Sequence, residues 1–308
     1  MPQVKIFSGS QSRYLAEKIA AAYGIVLGDV SIQRFSDGEL SASFNESVRG
    51  CEVFLIQSTF PPADNLMELM LMVDAAKRAS AHKVCVVVPY YGYARQDRKD
   101  KPRVAIGSKV VANALQSVGA DRLMTCDLHA GQIQGFFDIP VDHLDGSAIF
   151  VPYIKSLNLD RLLFASPDVG GVVRTRAFAS KFGAEMVVCD KQRARANEIA
   201  SMQVIGDVEG QDVVMVDDIV DTAGTICKAA ELLRDRGARS VRAIITHPIL
   251  SGPAYERIEN SMLEELVVSD TIPLRYASPK IKVLSFSQLF ARAISNVVTH
   301  ESISSLFL

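Results

Sequence analysis

Apolar runs and helix-spaced stretches alternate along the chain, and the series occurs twice. Gly50-Cys-Glu-Val-Phe-Leu-Ile56 leads into a helical pattern over 66–78 and then a second apolar run, Lys83-Val-Cys-Val-Val-Val88. Gly210-Gln-Asp-Val-Val-Met-Val216 repeats the first run 160 positions later, followed by a helical stretch over 225–236 and Ser240-Val-Arg-Ala-Ile-Ile-Thr246. Upstream, residues 12–23 before Gly24 and 172–182 before Gly183 both read as helices stopped by a glycine. Unbroken apolar strands between helices belong to parallel sheets covered on both faces. The expectation is an α/β protein of two similar doubly wound domains with mainly parallel sheets, 1–146 and 147–308, joined near Asp145-Gly146-Ser147.

The halves differ most after the first strand of the repeat. The second half has Asp217-Asp-Ile-Val-Asp-Thr-Ala-Gly-Thr225; the first has Gln57-Ser-Thr-Phe-Pro-Pro-Ala-Asp-Asn65, without the paired acids or the terminal Gly-Thr. A strand–loop–helix junction lies at the carboxyl end of the sheet, where open α/β folds bind ligands. Thr222, Ala223, Gly224 and Thr225 then offer backbone N–H groups and two hydroxyls to an anion at a helix N-terminus. Asp217 and Asp218 accept from vicinal hydroxyls or hold a cation. Acid beside a phosphate cradle points to a sugar phosphate, and the alternative is an acidic cluster that caps the helix. The pattern over 213–225 resembles the phosphoribosyl diphosphate signature of the phosphoribosyltransferase-like fold.

Composition narrows the setting without naming a reaction. Of 308 residues 48% are hydrophobic, and 33 basic against 35 acidic residues leave a formal net charge of −2, so no global field favours nucleic acid or an anionic membrane. No apolar run has membrane-spanning length, and the opening residues read directly into a strand, so the expected location is the cytoplasm. The five cysteines, Cys51, Cys85, Cys126, Cys189 and Cys227, lack metal-type spacing and read as reduced core residues.

Other segments carry further chemistry. Phe35-Ser-Asp-Gly-Glu39 pairs an aromatic face with acceptors suited to an exocyclic amine. Tyr93-Ala-Arg-Gln-Asp-Arg-Lys-Asp100 opens a basic run, and Cys126-Asp-Leu-His-Ala130 closes an apolar strand with Asp127 and His129 expected on one side of an extended chain. Asp168-Val-Gly-Gly171 precedes a helix with two glycines that permit close backbone approach to a diphosphate. Asp190-Lys-Gln-Arg-Ala-Arg-Ala-Asn197 follows a strand and concentrates cations of the kind that stabilise charge on transferring phosphoryl oxygens.

In order and spacing these segments resemble the ribose-phosphate diphosphokinases, or phosphoribosyl pyrophosphate synthetases, of the Mg/phosphate-dependent class I. The resemblance runs from Ile6-Phe-Ser-Gly-Ser10 to the last helix. It implies transfer of the diphosphoryl group of ATP to the 1-hydroxyl of ribose 5-phosphate. It implies Phe35, Asp37, Gly38, Glu39, Arg95, Gln96 and Asp97 on ATP, and Lys191 and Arg193 as catalytic cations. Asp217, Asp218, Asp221, Thr222, Ala223, Gly224 and Thr225, with Arg193, are placed on ribose 5-phosphate. Asp168, Val169, Gly170 and Gly171 form the diphosphate loop, and Mg²⁺ is met by His129 and Asp168, with Asp127 as a further candidate. A homohexamer follows, with inorganic phosphate and ADP as allosteric effectors. The family usually has a smaller residue than Val169 and a basic one at Gln192, and no general base is assigned. Two alternatives compete: a phosphoribosyltransferase has no use for the 35–39 and 95–96 segments, and a non-catalytic regulatory relative would have lost residues present here.

Overall fold

A computed structural model describes residues 2–195 and 198–307, with the side chains of 191–195 and 198–201 outside the description. The chain forms two compact units, Met1–Asp145 with Phe286–Leu308, and Gly146–Ser285.

In the first unit β1 (Val4–Ser8), β4 (Glu52–Ile56), β5 (Lys83–Val88), β6 (Arg122–Cys126) and β7 (Val141–Leu144) form a five-stranded sheet in that order, all pairs parallel. Strands β2 (Val30–Arg34) and β3 (Leu40–Phe44) pair antiparallel as a separate hairpin. Helices α1 (Arg13–Tyr23), α2 (Asp64–Arg78) and α3 (Gly107–Ser117) connect the strands. Every residue of β4 is buried, which is why its sequence lacks polar alternation. Each buried Val, Leu or Ile of such a core stabilises by roughly 1.5–3 kcal/mol.

The second unit contains α4 (Ser147–Ser156), β8 (Leu162–Ser166), α5 (Val172–Phe182), β9 (Met186–Arg195), β10 (Glu198–Ile205), β11 (Asp212–Val220), α6 (Gly224–Asp235), β12 (Ser240–Pro248), α7 (Ala254–Glu259), β13 (Glu265–Ser269) and β14 (Ile281–Leu284). Its sheet order is β10-β9-β8-β11-β12-β13-β14, parallel except for the β9–β10 pair.

The duplication extends to individual hydrogen bonds. Gly50 and Gly210 both adopt positive φ, 71° and 68°, and each donates its N–H at 2.8 Å to the residue that ends the following helix turn, Ser80 O and Gly237 O. The strands β4 and β11 start 160 residues apart, β5 and β12 157, but β6 and β13 only 143. The difference arises because the first unit places a long loop and the eleven-residue α3 where the second has the six-residue α7.

Two expectations change. Residues 286–308 group with the first unit rather than the second, because α8 (Ser287–Thr299) buries Leu289, Phe290, Ala293 and Ile294 and packs on α1. The strand expected to end at Cys189 continues to Arg195, since β10 supplies it with an antiparallel partner. Four of the five free cysteines are buried and Cys227 is partly so.

Candidate active site

The second unit has its topological switch point between β8 and β11: α5 leads away to β9 on one side and α6 to β12 on the other. Strand β11 pairs with β8 only as far as Met215 opposite Ala165, yet stays beside β12 to Val220 opposite Pro248. The two strands therefore part at their carboxyl ends and leave a crevice, the position at which doubly wound sheets take ligands. The turn after β8 and the turn after β11 form its walls.

On the first wall, Asp168 is the N-cap of a short 3-10 turn over Val169–Gly171, its carboxylate accepting Gly171 N–H at 3.1 Å, and Ser166 Oγ donates to Asp168 O at 2.6 Å. Gly171 is sterically required: an added Cβ would lie 2.8 Å from Ser166 Oγ and 3.9 Å from Asp217 Oδ1. The predicted diphosphate turn and the predicted ribose acids thus face one another. Val169 is exposed.

On the second wall the strand runs further than the sequence pattern indicates, so Asp217 and Asp218 belong to β11 itself. The two acids have different surroundings. Asp218 is buried, with its carboxylate 3.7 Å from Arg174 Nη2 of α5. Asp217 Oδ1 accepts the N–H of Asp218 at 2.9 Å. Burial, followed by the charges of Asp218 and Asp168, pushes the Asp217 carboxyl well above the usual carboxylate range. After Val220 the chain turns through Asp221, Thr222 and Ala223, the last at φ 59°, and α6 begins at Gly224. Its first N–H groups have no intrahelical acceptor and are open to an anion.

The corresponding crevice of the first unit is filled. Gln57 stands where the second unit has Asp217, and it is fully buried. The buried carboxylate of Glu68 accepts from Ser10 N–H at 2.5 Å, Ser10 Oγ at 2.7 Å and Gln57 Nε2 at 3.0 Å. A Cβ on Gly9 would meet the Gln57 and Glu68 side chains at 2.5 and 2.7 Å. A side-chain carboxylate of the protein occupies the ground that a ligand anion would need.

The first unit carries its predicted residues elsewhere on the same sheet end. Phe35–Glu39 is the exposed turn of the β2–β3 hairpin, closed by Phe35 N–H to Glu39 O at 2.9 Å, with the Asp37 carboxylate accepting Glu39 N–H at 3.1 Å. Arg34 ties this turn to the start of α2, donating to Gly38 O at 2.9 Å and to Asp64 Oδ2 at 2.7 Å. Arg95, Gln96 and Asp97 lie in the long loop after β5 that the second unit lacks; Gln96 O accepts from Ser108 N–H and Oγ, and Asp97 accepts from Gln132 at 3.1 Å. Asp127 and His129 follow β6 but do not share a face as expected. Asp127 is buried at φ 39°, which ends the extended chain there, and His129 is exposed. Lys191 and Arg193 have their backbone in β9, opposite Met202 and Ile199, and their side chains lie outside the described residues.

Two family models match the chain, the N-terminal domain of ribose phosphate pyrophosphokinase over residues 4–119 and a phosphoribosyl synthetase-associated domain over 184–308. The ribose-phosphate pyrophosphokinase of Porphyromonas gingivalis is 56% identical over 98% of this chain and 97% of its own length. That of Campylobacter jejuni is 53% identical over 99% of both. The chain belongs to the ribose-phosphate pyrophosphokinase family. The crystal structure of phosphoribosylpyrophosphate synthetase from Mycobacterium smegmatis superposes with a TM-score of 0.92 at 37% identity, covering 97% of this chain and 99% of that one. The fold is thus the phosphoribosyltransferase-like one, and the chain is an enzyme of the transferase class.

For a pyrophosphokinase of this family, motif reading leaves out several residues that hold the site: Arg174 beside Asp218, Arg34 beneath the hairpin turn, and Ser251 and Arg257 behind the turn after β11. Each reaches its partner from another element, so no local spacing announces it. Among the described residues no group of three or more His, Cys, Asp or Glu gathers as a metal cage. Asp168, Asp217 and Asp218 supply carboxylate oxygens, the donor type that Mg²⁺ takes a few at a time together with phosphate oxygens and water. No helix among the described residues is long and apolar enough to cross a membrane.

Proposed function

We propose that the protein transfers the diphosphoryl group of ATP to the 1-hydroxyl of ribose 5-phosphate, giving 5-phosphoribosyl 1-diphosphate and AMP. The observation that carries this reading is the crevice of the second unit, with the Asp168 turn facing Asp217 and a phosphate turn at the start of α6, in a chain of this family. The sugar 1-oxygen attacks the β-phosphorus, the bond from that phosphorus to the α,β-bridging oxygen breaks, and AMP leaves with the bridging oxygen while the hydroxyl proton is lost. Asp217 and Asp218 receive ring hydroxyls; Thr222 and Thr225, with the N–H groups of Ala223 and Gly224, receive the 5-phosphate. Asp221 shapes the turn through Ser251. The Asp168–Gly171 turn lies against the diphosphate.

On the nucleotide side, Phe35 offers a face to adenine and Asp37 and Glu39 accept its amine, while Arg95, Gln96 and Asp97 reach the remainder of ATP. Lys191 and Arg193 are assigned as the cations that stabilise charge on the transferring phosphoryl oxygens. Mg²⁺ would neutralise phosphate charge; the candidate contacts are Asp168 in the second unit and, taken separately, His129 in the first, with the buried Asp127 a less direct candidate there. A cytoplasmic homohexamer responding to inorganic phosphate and ADP completes the reading. The test is incubation of purified protein with ATP, Mg²⁺ and ribose 5-phosphate: AMP and phosphoribosyl diphosphate should appear in equal amounts, and formation of ADP in place of AMP would refute it.

A further inference from the structure

The turn at Asp221–Ala223 is braced from behind. After β12 the chain crosses back over it: Ile249 and Leu250 N–H donate to Val220 O at 3.0 and 3.1 Å, and Ser251 N–H donates to Asp221 O at 3.0 Å. Ser251 Oγ also donates to the Asp221 carboxylate. Helix α7 then delivers Arg257, whose Nη1 donates to Thr222 O at 3.0 Å. The same guanidinium lies against the start of α6, since a Cβ on Gly224 would be 3.3 Å from Nη1.

These contacts bear on the direction in which the turn points. A trans peptide is planar with its C=O and N–H opposed, so a Thr222 carbonyl held toward Arg257 aims the Ala223 N–H the other way. Ala223 sits at φ 59°, a conformation disfavoured for a residue with a Cβ, and it persists only where neighbours fix it. Ser251 meanwhile engages the Asp221 carboxylate, which would otherwise repel a phosphate. The guanidinium adds a positive charge at the helix start where an anion is to bind.

We propose that Arg257 is a positioning residue for ribose 5-phosphate: from the back of the turn it holds the Thr222 carbonyl so that the opposite edge presents its N–H groups to the ester phosphate. The inference rests on the reading of this turn as the 5-phosphate site. It assigns to α7 a role in substrate selection, favouring a phosphorylated sugar over the free sugar.

The experiment is calorimetric titration of ribose 5-phosphate, and of ribose, into the full-length protein without ATP, for the native chain and for Arg257→Ala, Arg257→Gln and Arg257→Lys. Steady-state KM for both substrates and unfolding midpoints accompany it. Arg257→Ala should weaken ribose 5-phosphate binding about tenfold, the loss expected for one charge-assisted hydrogen bond at an exposed site, with KM for ATP within about twofold. Arg257→Lys should recover part of the loss. Arg257→Gln, which keeps a donor but no charge, should fall between and serves if the alanine variant does not fold. Ribose 5-phosphate affinity within about twofold of native in all three variants would overturn the proposal, as would equal losses for ATP and sugar phosphate. A native protein that binds ribose 5-phosphate, loses it in Arg257→Ala, and yet produces no AMP would sink the proposed reaction while leaving the positioning role standing.

Discussion

Asp217 and Asp218 are adjacent carboxylates with unequal support. Arg174 lies beside Asp218, whereas Asp217 faces Asp218 and Asp168, and its burial favours the neutral acid. Folding therefore raises the proton affinity of Asp217 above that of the unfolded chain, near 3.9 for an ordinary aspartate. As pH rises through the folded-state value the native protein must surrender that proton, and stability falls. Asn does not titrate, so Asp217→Asn should raise stability, and by more at pH 8 than at pH 4, close to the unfolded-state value. It should also weaken ribose 5-phosphate binding by at least about tenfold, because an amide replaces one acceptor with a donor. Thermal unfolding at both pH values with a parallel titration checks this; a variant that is less stable at pH 8 would show that Asp217 is a supported charge. The sequence announced both acids through their spacing, but their inequality depends on Arg174, placed by another helix, and local pattern has no access to that.

At the level of elements, the two units show one βαβ arrangement put to different uses. The second keeps the crevice between β8 and β11 open; the first closes its counterpart with Glu68 and Gln57 and carries its candidate nucleotide residues on a hairpin and an inserted loop. Glu68 matters because its carboxylate satisfies a backbone N–H, a hydroxyl and an amide in a buried place. Glu68→Ala should cost about 2–4 kcal/mol, and Glu68→Gln less, since one acceptor oxygen remains to be shared. Denaturant unfolding of both variants measures it, and a loss below about 0.5 kcal/mol for alanine would mean that water replaces the carboxylate freely. The duplicated strands were legible because burial on both faces leaves unbroken apolar runs, as in Val53–Ile56 and Val213–Val216. The plug was not, since Glu68 falls within an ordinary amphipathic helix. Charged residues likewise hid the length of β9: Asp190–Arg195 is drawn into the sheet by pairing with β10, which tertiary context supplies and propensity does not.

Across the whole molecule, the division of the chain is not a cut at one position. Helix α8 is the last long helix in sequence, yet it closes the first unit by covering α1, whose Leu15, Ala16, Ile19 and Ala20 are buried. The resemblance includes this helix but not its destination, because an apolar stripe specifies that it must be covered and not by what. Phe290, fully buried in α8, tests the assignment. Phe290→Ala should destabilise by about 3–5 kcal/mol through lost burial and the cavity left behind. The loss should be local: hydrogen exchange should accelerate in α1, β1 and β4 while β8, β11 and β12 keep native protection, since sub-global opening follows packed units and not sequence order. Equal loss across β8 to β12 with α1 unaffected would return the C-terminal segment to the second unit. Because the crevice proposed for the sugar phosphate is built from β8 and β11 of that unit, the same variant should retain ribose 5-phosphate binding at temperatures below its first transition, so the packing of one half can be weakened while the proposed site of the other is read independently.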